Sequence, residues 1–165
     1  MSVRQQIEEH LRSEEVSRVI YGAIIGMALI LVLEHHPPSA LATEATLIAT
    51  GLAVSLAELY SEVIGEWTRL GKRVERHHLR HMLEGVGAVF VGIVFPGVYF
   101  ILAALHVMKL DTAFTFAKWS GLVLIALYGY AAGRLSGASR ASSTMHALSV
   151  AFVGAALIGF KALVH

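Results

Sequence analysis

The sequence predicts an all-α integral membrane protein: five transmembrane helices preceded by a short amphipathic interfacial helix. Three observations lead there. Of 165 residues, 56% are hydrophobic and only 15% charged, with a mean hydropathy of +0.65, whereas a soluble domain carries about 25% charged residues. Uncharged stretches run over 19–33, 45–57, 85–108, 119–133 and 141–160, and about 20 apolar residues cross the hydrocarbon as a helix. Lys and Arg are also unevenly placed. Arg4, Arg12, Arg18, Arg69, Lys72, Arg73, Arg76, Arg80, Arg134 and Arg140 flank one side, against Lys109, Lys118 and Lys161 on the other. By the positive-inside bias the amino terminus is cytoplasmic and the carboxyl terminus outside. A bacterial cytoplasmic membrane is the expected location, since no organelle signal is visible.

Residues 1–15 open the chain with Ser2 and Gln5 at capping-box spacing. Val3, Ile7 and Leu11 recur every four residues among charged neighbours, as in a helix lying on a membrane surface. No small-residue cleavage site follows the first apolar run, so that run is expected to stay in the protein. The five spans cover about 16–35, 41–67, 83–108, 112–133 and 143–164, with a basic, His-rich cytoplasmic loop over 68–82. Short connections place sequential helices side by side. Pro37-Pro38 end the first span, because proline cannot continue the hydrogen-bond ladder, and Pro96 kinks the third.

Function is expected where charge meets the apolar spans. At about 100° per residue, Glu44, Gly51, Ser55, Glu58, Glu62, Glu66 and Arg69 fall along one line of the second helix. Carboxylates facing lipid are costly, so this face should meet the bundle interior, a partner or water. Glu58, Glu62 and Glu66 repeat every four residues, where like charges repel unless a cation or protons neutralise them. A divalent cation or a proton relay would do so, oxygen being the ligand of hard and borderline cations. The alternative is structural, with Glu66 among headgroups, Glu44 at the outer interface, and Glu58 and Glu62 protonated or paired with cytoplasmic Arg. The hydrophobic middle of the other spans holds no Lys or Arg, which favours the functional reading.

Three further groups are weaker. His77, His81 and Glu84 share a helical face that can hold a transition metal, although the basic residues around them equally serve as a membrane anchor or a contact for anionic lipid. Outside, Glu34, His35 and His36 before the prolines, with Glu44 one turn into the next helix, suit a metal exit site or a proton-sensitive gate. They suit a plain polar hairpin as well. His106 and His146 lie in otherwise apolar spans and read first as hydrogen-bonded structural histidines. Gly22 and Gly26 allow close backbone approach and are expected at a homodimer contact, and Gly129, Gly133 and Gly137 repeat the same spacing later. The chain has no Cys, phosphate-binding loop, nucleophile elbow or HExxH, so neither an enzyme nor a tightly bound cofactor is expected. A formal charge of +1 offers no field for nucleic acid.

Three segments resemble the vacuolar iron transporter family. They are Arg18-Val19-Ile20-Tyr21-Gly22-Ala23, the second span from Gly51-Leu52-Ala53 through Leu56-Ala57-Glu58 and Ser61 to Gly65-Glu66-Trp67, and Gly133-Arg134-Leu135-Ser136-Gly137. The resemblance implies a five-span homodimer that exchanges ferrous iron or manganese for protons through acidic and methionine positions of the first two spans. Glu58 and Glu66 match the family's acidic sites, and Glu62 stands where a methionine is usual. The acidic residue expected just before the first-span glycine is replaced by Ile24-Ile25-Gly26, and the family's acidic cytoplasmic insertion is shortened to the basic loop. A protein that keeps this fold as a non-transporting scaffold or regulatory subunit is the alternative these departures suggest.

Overall fold

The computed structural model describes residues 3–71 and 76–164. The described residues are helical throughout apart from short connections: α1 (Val3–Leu33), α2 (Ala40–Leu70), α3 (Arg76–Val94), α4 (Val98–Ala104), α5 (Leu110–Leu135) and α6 (Arg140–Val164). Among the described residues, four stretches are long and apolar enough to cross a membrane, Glu15–Leu33, Ala40–Arg69, Leu79–Ala104 and Leu110–Leu135.

Local chemistry sets the ends of these helices. After Pro37-Pro38, Ser39 caps α2 by accepting from the Ala42 amide at 3.3 Å. Gly71 closes α2 in the left-handed region (φ 61°), its N–H donating to the Trp67 carbonyl at 2.9 Å. Pro96 interrupts the third apolar stretch as expected, since it cannot donate within the helix. Phe95–Gly97 narrows to a 3-10 turn there before α4 resumes. Gly137 (φ 76°) turns the chain after α5, and Ser139 accepts from the Ser142 amide at 3.2 Å at the start of α6.

Two boundaries differ from the sequence reading. The first fifteen residues, expected as a separate interfacial helix, belong as far as they are described to α1, which runs unbroken from Val3. No Gly or Pro occurs before Gly22 to stop it. The cytoplasmic loop expected over 68–82 is shorter, because α2 continues to Leu70 and α3 starts at Arg76, again with no breaker before Gly85.

The helices do not lie in sequence order. α1 packs on α3 and α5, α2 lies against α3 and α4 and barely touches α1, and α6 rests on α5. The reason is steric. A Cβ at Gly22 would overlap the Val89 carbonyl, one at Gly26 would come within 2.7 Å of the Ile93 carbonyl, and one at Gly92 within 2.5 Å of the Val19 carbonyl. These glycines let the α1 and α3 backbones meet. Gly22 and Gly26 are therefore consumed inside the chain, which corrects their expected place at a homodimer interface. Gly129 and Gly133 act likewise between α5 and α6, with Cβ positions 3.2 Å from Ala147 Cα and 2.7 Å from Ser143 Cα.

On the other flank of α1, Ala23, Met27, Leu31 and Ile125 form one core between α1 and α5. Ile30, Leu47, Phe100, Ala113, Phe114 and Ala117 form a second core below the Pro96 bend. There the Phe100 and Phe114 rings meet edge to face, 4.8 Å apart. Leu52, Leu56, Val91, Val123, Leu127, Leu148 and Phe152 remain exposed on the outside of the bundle, the side a bilayer would cover.

His106 does not lie within a span. It follows α4 with φ 61°, a left-handed conformation costly for a residue with a Cβ. His106→Gly should therefore hold or raise the melting temperature in detergent, and His106→Val should destabilise by about 1 kcal/mol or more. Gly22→Ala should lower the melting temperature sharply, whereas Gly87→Ala, whose Cβ meets nothing within 4 Å, should be neutral or stabilising by up to about 1 kcal/mol.

Candidate cation site

The carboxylate line of α2 faces inward. Thr43, Glu44, Leu47, Gly51 and Ser55 are buried, and Glu58, Glu62 and Glu66 are half-buried. The opposite face shows Leu41, Ile48, Leu52, Leu56 and Tyr60 to the outside. Against α3, a Cβ on Gly51 would lie 3.0 Å from the Phe90 ring, and Ser55 Oγ donates to the Val86 carbonyl at 3.3 Å.

The four carboxylates do not form one site. Glu44 and Glu58 are 14 residues apart, about 21 Å along the helix axis. Glu44, only 6% exposed, lies against Gly97 at the Pro96 bend, where a Cβ would overlap its carboxylate. Its Oε2 has no hydrogen-bond partner among the described residues. Glu66 accepts from exposed Arg69 at 2.6 Å, within the same helix.

Glu58 and Glu62, one helical turn apart, meet a residue from another span. Arg18 of α1 forms an ion pair with Glu62, its Nη2 2.5 Å from Glu62 Oε1, both side chains being about three-quarters shielded. To get there, its guanidinium passes over Gly85 of α3, where a Cβ would lie 2.5 Å from Cζ and 2.9 Å from Nε and closer still to Nη1. Arg18 and Glu62 both act electrostatically on Glu58. Arg18 Nη1 and Glu58 Oε2 are buried without hydrogen-bond partners among the described residues. Three helices thus assemble two carboxylates and one guanidinium at the end of the bundle that carries Arg69, Arg80 and Arg134.

The structural alternative for this face expected Glu58 and Glu62 protonated or paired with cytoplasmic Arg, and Glu62 is paired with Arg18. Arg18 stands one turn inside the first apolar stretch, and Gly85 is the gap that lets it across. Both residues are visible in the sequence, but their alignment depends on α3 lying between α1 and α2.

The other candidate groups are drawn apart. Glu34 accepts from Lys118 of α5 at 2.5 Å. The His35 and His36 rings stand edge to face, 4.4 Å apart, and Glu44 turns to Gly97 rather than completing an outer set. On α3, Glu84 binds Arg80 at 3.2 Å and His81 at 3.4 Å, and the His77 side chain lies outside the described residues. His146 Nδ1 is 3.0 Å from the Ser142 carbonyl, the structural histidine expected. No group of three His, Asp or Glu that could hold a metal ion occurs among the described residues. As oxygen donors, Glu58 and Glu62 suit a hard or borderline cation, with one Glu62 oxygen already held by Arg18.

Fold and helix composition define the class: the described residues are all-helical, and four stretches among them are long and apolar enough to cross a membrane. Compared with known proteins, the chain matches no family model, no curated protein and no solved structure.

The pairings differ in weight, which mutation should reveal. Glu62→Gln leaves the shielded Arg18 charge without its partner and should destabilise by about 1–3 kcal/mol. Glu66→Gln loses an ion pair with a largely exposed arginine and should cost less than about 1 kcal/mol. Thermal unfolding of both variants in one detergent tests the ranking.

Proposed function

We propose that the protein moves cations through a membrane, with Glu58 and Glu62 as the site where a divalent cation, iron(II) or manganese(II), exchanges with protons. One observation carries this reading. The shielded cluster holds two carboxylates against a single guanidinium, and Glu58 keeps a buried oxygen that no described group satisfies. An ionisable group within a spanning helix marks a pathway for ions or protons more often than a structural need. Glu66, one turn beyond Glu62, would receive the cation from the basic side. Glu44, alone at the other end of the same line, would serve the outer exit near His35 and His36.

In this reading α6 is the fifth span. Its 25 residues extend about 37 Å, enough to cross about 30 Å of hydrocarbon. Five spans put Arg69, Arg80, Arg134 and Arg140 on the cytoplasmic side together with the charged first turns of α1, which lie at the surface of a bacterial cytoplasmic membrane. An assembly of two copies would use a face other than Gly22 and Gly26.

A second reading, a membrane scaffold or regulatory subunit without transport, is favoured by one observation. Arg18 already matches Glu62, as Lys118 matches Glu34 and Arg69 matches Glu66. The two readings separate in a thermal-shift titration with Fe²⁺, Mn²⁺ and Zn²⁺ at two pH values, paired with uptake into proteoliposomes. For the transporter, at least one metal stabilises the wild-type chain and enters the vesicles. Stabilisation weakens on acidification because protons compete for the same oxygens. Glu58→Gln, which leaves the Arg18–Glu62 pair in place, abolishes the metal response while the chain stays folded. Wild-type protein that neither gains stability nor passes any of the three metals would establish the scaffold instead.

A further inference from the structure

We infer that Arg18 is a tethered counter-cation of the Glu58–Glu62 pair, so that a cation from solution binds there only by displacing its guanidinium. The inference rests on reading these carboxylates as the cation site, and adds what controls access to it.

Geometry makes the first argument. Arg18 and Glu62 belong to helices that barely touch, and the side chain joins them only by crossing α3 at Gly85. Any Cβ there would collide with the guanidinium. Close α1–α3 packing needs its glycines at Gly22, Gly26 and Gly92, where backbone meets backbone. At Gly85 the three atoms nearest an added Cβ all belong to the Arg18 guanidinium, so the space it leaves is space for a charge.

The second argument is the incompleteness of the contact. A guanidinium has five N–H donors and binds a carboxylate most firmly through two parallel bonds. Arg18 spends Nη2 on Glu62 Oε1, while Nη1 is buried without a partner and Glu58 Oε2 is buried without a donor. Such a pair is strong enough to occupy the position and weaker than a fully bonded fork, as suits a group that must leave. The long apolar stem also allows the head to swing toward the basic end of the bundle.

Charge gives the third argument. Two ionised carboxylates present two negative charges, and Arg18 reduces that to one. A divalent cation entering beside the guanidinium would meet a site with half its charge and a like charge at close range, and repulsion grows in a shielded environment. With the guanidinium withdrawn, the same oxygens match the divalent charge. Arg18 thus sets a threshold that a weakly bound divalent cation fails to cross.

The test is Mn²⁺ binding to the full chain in detergent, by calorimetric titration and by melting-temperature shift. It compares wild type, Arg18→Gln, Arg18→Lys, Gly85→Ala and Arg18→Gln combined with Glu58→Gln. Arg18→Gln deletes the charge, while Gly85→Ala keeps it and expels it from the site, so each covers for the other should one fail to fold. Both should tighten Mn²⁺ binding about tenfold or more, Arg18→Lys should stay nearer wild type, and Glu58→Gln should cancel the gain. Binding by Arg18→Gln or Gly85→Ala where wild type shows none would support the inference equally. Wild type that binds Mn²⁺ no more weakly than Arg18→Gln and Gly85→Ala would overturn the role of Arg18 and leave the cation site standing. Absence of Mn²⁺ binding in every form would overturn the site and the inference together.

Discussion

The close approach of α1 and α3 is the contact on which the rest of the bundle depends. Gly22 and Gly26 on one helix and Gly92 on the other remove the side chains that would hold the backbones apart. Where no hydrophobic effect drives helices together within lipid, such close packing is a principal source of association. It draws α3 between α1 and α2, leaving α1 to contact α5 on its other flank. Everything polar inside the bundle is arranged relative to this seam. Ser55 of α2 reaches the Val86 carbonyl because α2 lies against α3, and Arg18 must cross α3 to meet a carboxylate of α2.

The carboxylates of α2 show how one helix face can hold groups in different circumstances. Glu66 is close to a helix end and bonds an exposed arginine of its own helix, an interaction of small energetic weight. Glu62 meets a cation from another span in a shielded place, where loss of either partner leaves an uncompensated charge. Glu58 shares that environment without a bond to its inner oxygen, and Glu44 is buried alone at the Pro96 bend. A gradient of satisfaction along one line, from fully paired to unpaired, is a chemical asymmetry that a passive anchor does not need.

At the opposite end, the 3-10 turn at Phe95–Gly97 joins two functions of the fold. Pro96 breaks the ladder, and Gly97 beside it supplies the room that Glu44 fills. The Phe100–Phe114 contact then anchors the short α4 on α5, so the bend is held on both sides. The Lys118–Glu34 pair ties α5 to the end of α1 on this side, as the Arg18–Glu62 pair ties α1 to α2 on the other.

Much of this was legible in the residues alone. The apolar runs and the prolines located the apolar helices and the Pro96 bend, because those signals act locally, but not where α1 and α3 begin, at Val3 and Arg76 rather than near 16 and 83. The single inward line of Glu44, Ser55, Glu58, Glu62 and Glu66 followed from helical periodicity, since a buried carboxylate has few other places to face. What α1 packs against, and hence that Gly22 and Gly26 serve α3 of the same chain, was decided only in the tertiary structure. A glycine pair specifies closeness without naming the neighbour. The partner of Glu62 was hidden for the same reason: Arg18 and Gly85 stand 44 and 23 residues from it in sequence, and only helix order aligns the three. Periodicity assigns a residue its direction around one helix axis, whereas an ion pair needs the relative depth and spacing of several helices, which packing alone supplies.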